Sequence, residues 1–212
     1  VGVPSVIMVA IGSVMNYFLN LILYSFSKLA VAVFGAYFKV QSMAFMPVFG
    51  LNNGMIPIIS YNYGAQKPDR MKRTMKLGVM VGCSIMVFCL AIMQVFPGQI
   101  LKIFDATDEM LLMGIPAVRI MSTAFIFAGF SVTCSGMFQA VGKGVYSMIV
   151  SMARQLFVIL PVAYFLSKAM NSVNGVWAAF PIAEVFSVSI STIFLLRVYK
   201  KIVKPMESVQ RD

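Results

Sequence analysis

Histidine is absent from the 212 residues, and acids are scarce, with 7 Asp and Glu against 17 Lys and Arg. The first absence removes the usual general base near neutral pH and most familiar metal sites. Charged residues of either sign make up 11% of the chain, where a soluble domain carries roughly a quarter. Only three cysteines occur, Cys83, Cys89 and Cys134, all inside apolar runs. They offer neither an extracellular disulfide framework nor metal-ligand spacing. No GxSxG, HExxH or P-loop pattern appears, so no enzymatic role, bound cofactor or metal is expected. The chain starts at Val1 without a basic n-region or a small-residue cleavage site. A signal peptide is therefore not expected, and the chain is expected to begin part-way through a longer protein.

What fills the sequence instead is hydrocarbon. Apolar residues make up 60% of it, and the mean hydropathy is +0.88. Six stretches of bilayer width stand out, about 4–26, 30–61, 75–96, 110–140, 145–166 and 173–198. Crossing a core of about 30 Å takes roughly 20 apolar residues at 1.5 Å each. Helices are the only sensible assignment, because barrel strands alternate in polarity and need only about ten residues. The expected fold is all-α and polytopic: a single six-helix transmembrane unit over residues 1–212, closed by a basic tail at 199–212.

Charge gives the orientation. Lys67, Arg70, Lys72, Arg73 and Lys76 follow the second span, Lys143 the fourth, and Arg197, Lys200, Lys201, Lys204 and Arg211 the sixth. Only Lys28, Lys102 and Lys168 lie on the other side, with Asp105, Asp108 and Glu109. Basic loops stay cytoplasmic during insertion, so both ends are expected there, in a multi-pass protein of the cell membrane. The basic residues sit in short loops, not on a groove-sized face, so the lipid bilayer is the expected partner and nucleic acid is not.

Three sets of residues inside the spans are candidates for function. The second span holds Pro47, Gly50, Gly54 and Pro57, with Asn52 and Asn53 among them. Each proline removes a helical hydrogen bond. The span is read either as a bendable helix lining a substrate path, or as a kink in which Gly50 and Gly54 let two helices approach. Gly78 and Gly82 repeat that spacing, and there plain packing is expected. The second set is charged: Lys39, Arg119, Arg154 and Glu184. Charge at mid-bilayer is costly unless paired or hydrated. Arg119, Arg154 and Glu184 lie 9, 9 and 11 residues beyond their span starts, roughly 14–17 Å deep. Glu184 is therefore expected to pair with Arg119 or Arg154, either as a structural clamp or as part of a transport site. The third set is neutral: Asn16 and Asn20, four apart on one helical face, with Gln41, Gln139 and Gln155. These either join helices or line a pathway. Met43 and Met46, flexible and polarisable, are further candidates for meeting ligands of varied shape.

Several phrases resemble the multidrug and toxic compound extrusion (MATE) family. They are Pro57-Ile-Ile-Ser-Tyr-Asn-Tyr-Gly-Ala-Gln66 with Arg70-Met-Lys72-Arg73 after it, Phe138-Gln-Ala-Val-Gly-Lys143, Arg154-Gln155 with Pro161, and Gly175-Val-Trp-Ala-Ala-Phe-Pro181. The resemblance covers essentially all six spans. It implies that the chain is the second lobe of a twelve-helix transporter, with an N-terminal lobe as its partner. It also implies export of small lipophilic cations, driven by entry of H+ or Na+, by alternating access. One feature departs from the family. Where some members carry a carboxylate in the first helix of this lobe, this chain has Asn16 and Asn20. Two other readings stand beside the antiporter. One is a lipid-linked saccharide flippase of the same superfamily, favoured by three basic residues against one acid at depth. The other is a non-transporting membrane scaffold subunit.

Overall fold

A computed structural model describes residues 2–209, and among them no strand occurs; Arg211 of the basic tail lies outside the described residues. Helix α1 (Gly2–Tyr24) turns into α2 (Lys28–Gly64), where Ser27 Oγ accepts the Ala30 N–H at 3.2 Å. That bond satisfies one of the first-turn donors left open at a helix start. Gln66, at φ 55°, reverses the chain into α3 (Pro68–Val95). The short α4 (Pro97–Lys102) follows, and Thr107 Oγ1 accepts the Met110 N–H to begin α5 (Asp108–Ser122). Next come α6 (Phe125–Ala140) and α7 (Gly144–Met152), joined through Gly142 at φ 73°. A π-helical stretch, Ala153–Ile159, leads into α8 (Leu160–Met170). Finally α9 (Asn174–Val198) passes through a second π-helical stretch, Tyr199–Val203, into α10 (Lys204–Val209).

Five helical runs are long and apolar enough to cross a membrane, within α1, α2, α3, residues 144–170 and residues 174–207. Helices α5 and α6 meet at a 50° bend and, taken as one broken span, make a sixth. The outer surface suits that setting. Leu112, Phe157 and Phe88 are 81%, 70% and 67% exposed, a surface prone to association in water but one that hydrocarbon covers.

Two apolar clusters hold the helices together. The larger lies toward the end away from the basic turns. There Phe34 stacks on Trp177 at 6.3 Å, and Phe45 meets Phe125 edge-on at 5.4 Å. The smaller lies at the basic end, where Tyr146 stacks on Phe194 at 4.4 Å beside Met71, Met137 and Val203. Between the two, at similar depth, come Asn52 on α2, Ser131 on α6, Arg154 and Gln155 in the π-helical stretch, and Glu184 and Ser187 on α9.

The structure corrects the sequence reading in three places. The second span is not interrupted: α2 runs unbroken through Pro47 and Pro57. Both prolines are exposed, and Val48 and Met55 between them, with Ile59 just beyond, hold the helix against the core. A Cβ added at Gly50 or Gly54 would meet nothing within 4 Å, so among the described helices they are not a packing pair. Gly78 and Gly82 are one, as expected: an added Cβ would strike Met55 Sδ at the first and Thr133 Oγ1 at the second. The break instead falls in the fourth span, between Ser122 and Phe125. There Gln94 Nε2, from α3, donates to Arg119 O at 2.8 Å and to Ser122 Oγ at 3.0 Å, while Thr123 Oγ1 donates to Ile120 O at 2.7 Å. Side chains that capture these carbonyls insert into the helical ladder, a recognised cause of sharp kinks.

Candidate functional site: a cavity between the two apolar clusters

A partly open cavity of about 550 Å³ occupies the level between the clusters. Helix α1 contributes Met8, Gly12, Met15 and Asn16, while α2 contributes Phe38, Gln41, Phe45, Phe49, Asn52 and Asn53. From α6 come Ser131, Ser135, Gly136 and Gln139. The fifth span adds Ser151, Arg154 and Gln155, and α9 adds Phe180, Glu184 and Ser187.

Local chemistry explains how these side chains reach one place. Pro161 lacks the N–H that would close a turn onto a preceding carbonyl and crowds the turn before it. The helix widens to π geometry just ahead of it, over Ala153–Ile159, which carries both Arg154 and Gln155. Such single wide turns occur frequently at functional sites. Arg154 Nη1 donates to Glu184 Oε1 at 2.6 Å, with side-chain exposures of 23% and 9%. The pairing expected for Glu184 is therefore present, with Arg154 as the partner. The second carboxylate oxygen, Oε2, is buried with no hydrogen-bond partner, as are Asn16 Oδ1, Asn52 Oδ1 and Ser187 Oγ. Gln155 Nε2 donates to Ser151 Oγ at 2.7 Å, and Gln155 Oε1 lies against Gly12 of α1. Asn52 Nδ2 donates to Val132 O at 3.0 Å. It comes that near to α6 because Gly136 has no Cβ, which would lie 2.8 Å from the Asn52 amide.

Of the residues singled out from the sequence, Asn16, Gln41, Asn52, Asn53, Gln139, Arg154, Gln155 and Glu184 line the cavity. Asn20, Met43 and Met46 do not, and both methionines face outward, 64% and 66% exposed. Pro47, Gly50, Gly54 and Pro57 stand on exposed parts of α2 that do not line it either. Lys39 and Arg119 are also exposed and outside it, and no carboxylate pairs with them among the described residues. The excess of base over acid seen along the sequence is thus absent from the cavity, where one arginine faces one glutamate. Sequence reasoning overlooked the serines at 131, 135, 151 and 187. Their signal was available: Ser131 and Ser135 are four residues apart, and Ser187 stands three after Glu184, so each pair shares one helical face.

A bundle of membrane-crossing helices around a largely apolar cavity with a few converging polar groups is the architecture of one lobe of a helical membrane transporter. Comparison with known proteins narrows that class. The MatE family model matches residues 4–165, and the chain belongs to that family. Among curated relatives, the multidrug export protein MepA of Staphylococcus haemolyticus (strain JCSC1435) is 26% identical over 178 residues, covering 84% of this chain and 39% of that protein. MepA of Staphylococcus aureus (strain bovine RF122 / ET3-1) is 27% identical over 184 residues, covering 87% and 40%. This chain thus spans about two-fifths of the length of those relatives.

Solved structures agree on the fold. An outward-facing multidrug resistance MATE family transporter of the MOP superfamily superposes with a TM-score of 0.88 at 20% identity, over 98% of this chain and 46% of that one. A MOP superfamily transporter from Pyrococcus furiosus Vc1 (DSM3638), described as having a binding pocket of reverse polarity, gives 0.89 at 20% identity with the same coverage. The six-helix lobe implied by the sequence resemblance is the fold that this chain adopts.

Proposed function

We propose that this chain is one lobe of a cation-coupled multidrug efflux antiporter in the cell membrane, with both ends cytoplasmic. It would work by alternating access against a second lobe. The observation that carries this reading is the half-open cavity at mid-depth, apolar in most of its walls with a few converging polar groups, the usual make-up of a small-molecule site. In hydrocarbon, buried polar groups of this kind are a liability without a use for them. The names of the MepA relatives support multidrug export as the class of activity. Small lipophilic cations remain the proposed substrates and H+ or Na+ the proposed driving ion. The flippase reading loses its main support, since Lys39 and Arg119 stand away from the cavity and Arg154 is already held by Glu184. A scaffold role would leave such a cavity unused.

The test is ion-driven movement of a cationic dye in proteoliposomes of the full transporter. Uptake that follows an imposed proton or sodium gradient is expected. Failure under both gradients rejects the antiporter. Tight binding of a prenyl-phosphate lipid in place of the dye would favour the flippase.

A further inference from the structure

The basic end of the lobe carries a feature that transport does not explain. The last helix does not stop at the level where its neighbours turn. It continues through Tyr199–Val203 into α10, and it remains amphipathic along the way. Val198, Val203 and Met206 are 2%, 0% and 7% exposed, and the first two join the same apolar cluster as Met71 and Val141. Those last two sit at the α2–α3 and α6–α7 turns, so this segment stands at the level where the lobe meets its aqueous surroundings. On its other side, Arg197, Lys200, Lys201 and Lys204 are all exposed. With Val198, Val203 and Met206 of the same run buried, the four form a basic stripe along its undocked side.

Among the described residues no acid forms an ion pair with the stripe. Among the described residues only two acids lie at this end, Asp69 and Glu207. Both are held by a single lysine, Lys72, at 3.0 and 2.6 Å. The same Lys72–Glu207 contact pins α10 beside the first turns of α3, where Arg70 and Arg73 are also exposed. Orientation during membrane insertion explains the sign of these charges. It does not account for their alignment on a docked helix, nor for both acids converging on one lysine.

We propose that the stripe Arg197–Lys200–Lys201–Lys204, with Arg70 and Arg73 beside it, is a binding surface for the anionic phospholipid headgroups of the adjoining leaflet. Long basic side chains at headgroup height reach phosphate oxygens while their stems lie along the apolar surface. Clusters of four or more basic residues just beyond a membrane-spanning helix attract acidic lipid, by an amount that falls off within a screening length. The surface begins at the C-terminal end of α9, beyond Phe180, Glu184 and Ser187 of the cavity wall, so the inference holds whatever the cavity carries.

The experiment is native mass spectrometry of the purified protein presented with equal amounts of phosphatidylglycerol and phosphatidylcholine of identical acyl chains. The protein is expected to retain phosphatidylglycerol over phosphatidylcholine by about fivefold or more, the factor matching about one basic residue's contribution near a charged membrane surface. The variant R197Q/K200Q/K201Q/K204Q should lose most of that preference. The control K28Q/K102Q/K168Q, neutral at the opposite end, should keep it. A parallel measurement needs no variant. Spin-labelled lipids of the two classes, compared in reconstituted membranes at about 0.1 M and about 1 M salt, should show the preference shrink as the screening length falls from about 10 to about 3 Å. Equal retention of both lipids by the unaltered protein overturns the proposal. So does a preference unchanged by the fourfold substitution or by salt.

Discussion

The contact between α3 and α6 and the space enclosed by α1, α6 and α9 use the same helical material, yet the first is closed and the second is hollow. At the closed contact glycine removes the side chain altogether. A Cβ on Gly129 would lie 2.9 Å from Cys83 Cα and 2.9 Å from Gly82 O, so the two backbones nearly touch. Around the hollow, polar side chains bridge neighbouring helices: Arg154 of the fifth span bonds Glu184 on α9, and Asn52 on α2 bonds Val132 O on α6. Packing without water's hydrophobic drive favours small residues where helices must close and hydrogen bonds where they are bridged. The difference teaches that a bundle in lipid obtains a cavity by bridging helices instead of sealing them.

The bridging side of this comparison breaks most severely at its ion pair. Arg154→Ala leaves Glu184 buried and unpaired, and is expected to destabilise the protein by about 3–5 kcal/mol. The double replacement R154M/E184M should recover most of that loss. Thermal unfolding in detergent reads both, and a single variant as stable as the parent would show the pair to be idle. On the closed side, Gly129→Ala has only backbone to push against. A loss of about 1–3 kcal/mol is expected from overpacking, with release of α3 from α6 visible as faster labelling of the buried Cys134.

Smaller effects sharpen the picture. Gln94→Leu removes two hydrogen bonds at the α5–α6 bend, worth about 1–3 kcal/mol together. It should reduce the 50° angle, read as a longer spin-label distance between the ends of α5 and α6. Gly50→Ala and Gly54→Ala sit in open space on a helix. They should be neutral or stabilising by up to about 1 kcal/mol, the opposite of Gly129→Ala despite the shared residue type.

Much of this architecture was legible in the sequence, for identifiable reasons. Length and apolarity reveal a membrane helix because lipid leaves the backbone no alternative. Equal depth along neighbouring spans marked Glu184 for a pair with Arg119 or Arg154, and Arg154 is the partner. Facing was far less legible. A helix that is apolar on every side carries no stripe to say which face meets the core. Met43, Met46, Lys39 and Arg119 were therefore singled out together with residues that line the cavity, and they lie outside it. The bend was hidden for a different cause: it depends on Gln94, 28 residues from Ser122 along the chain, and prolines drew attention to α2 instead. Pro161 was visible, but the wide turn ahead of it, with the cavity's arginine inside, was not.

The most direct test is water access at mid-depth. Single cysteines at Gln41, Asn53 and Ser135, in a background with Cys83, Cys89 and Cys134 replaced by alanine, would be treated in lipid with a hydrophilic thiol reagent. Thr133→Cys, from the closed contact, would serve as the comparison. Rapid labelling of the three cavity positions with protection of position 133 is the predicted result. Equal protection of all four would contradict a water-accessible cavity between the helices.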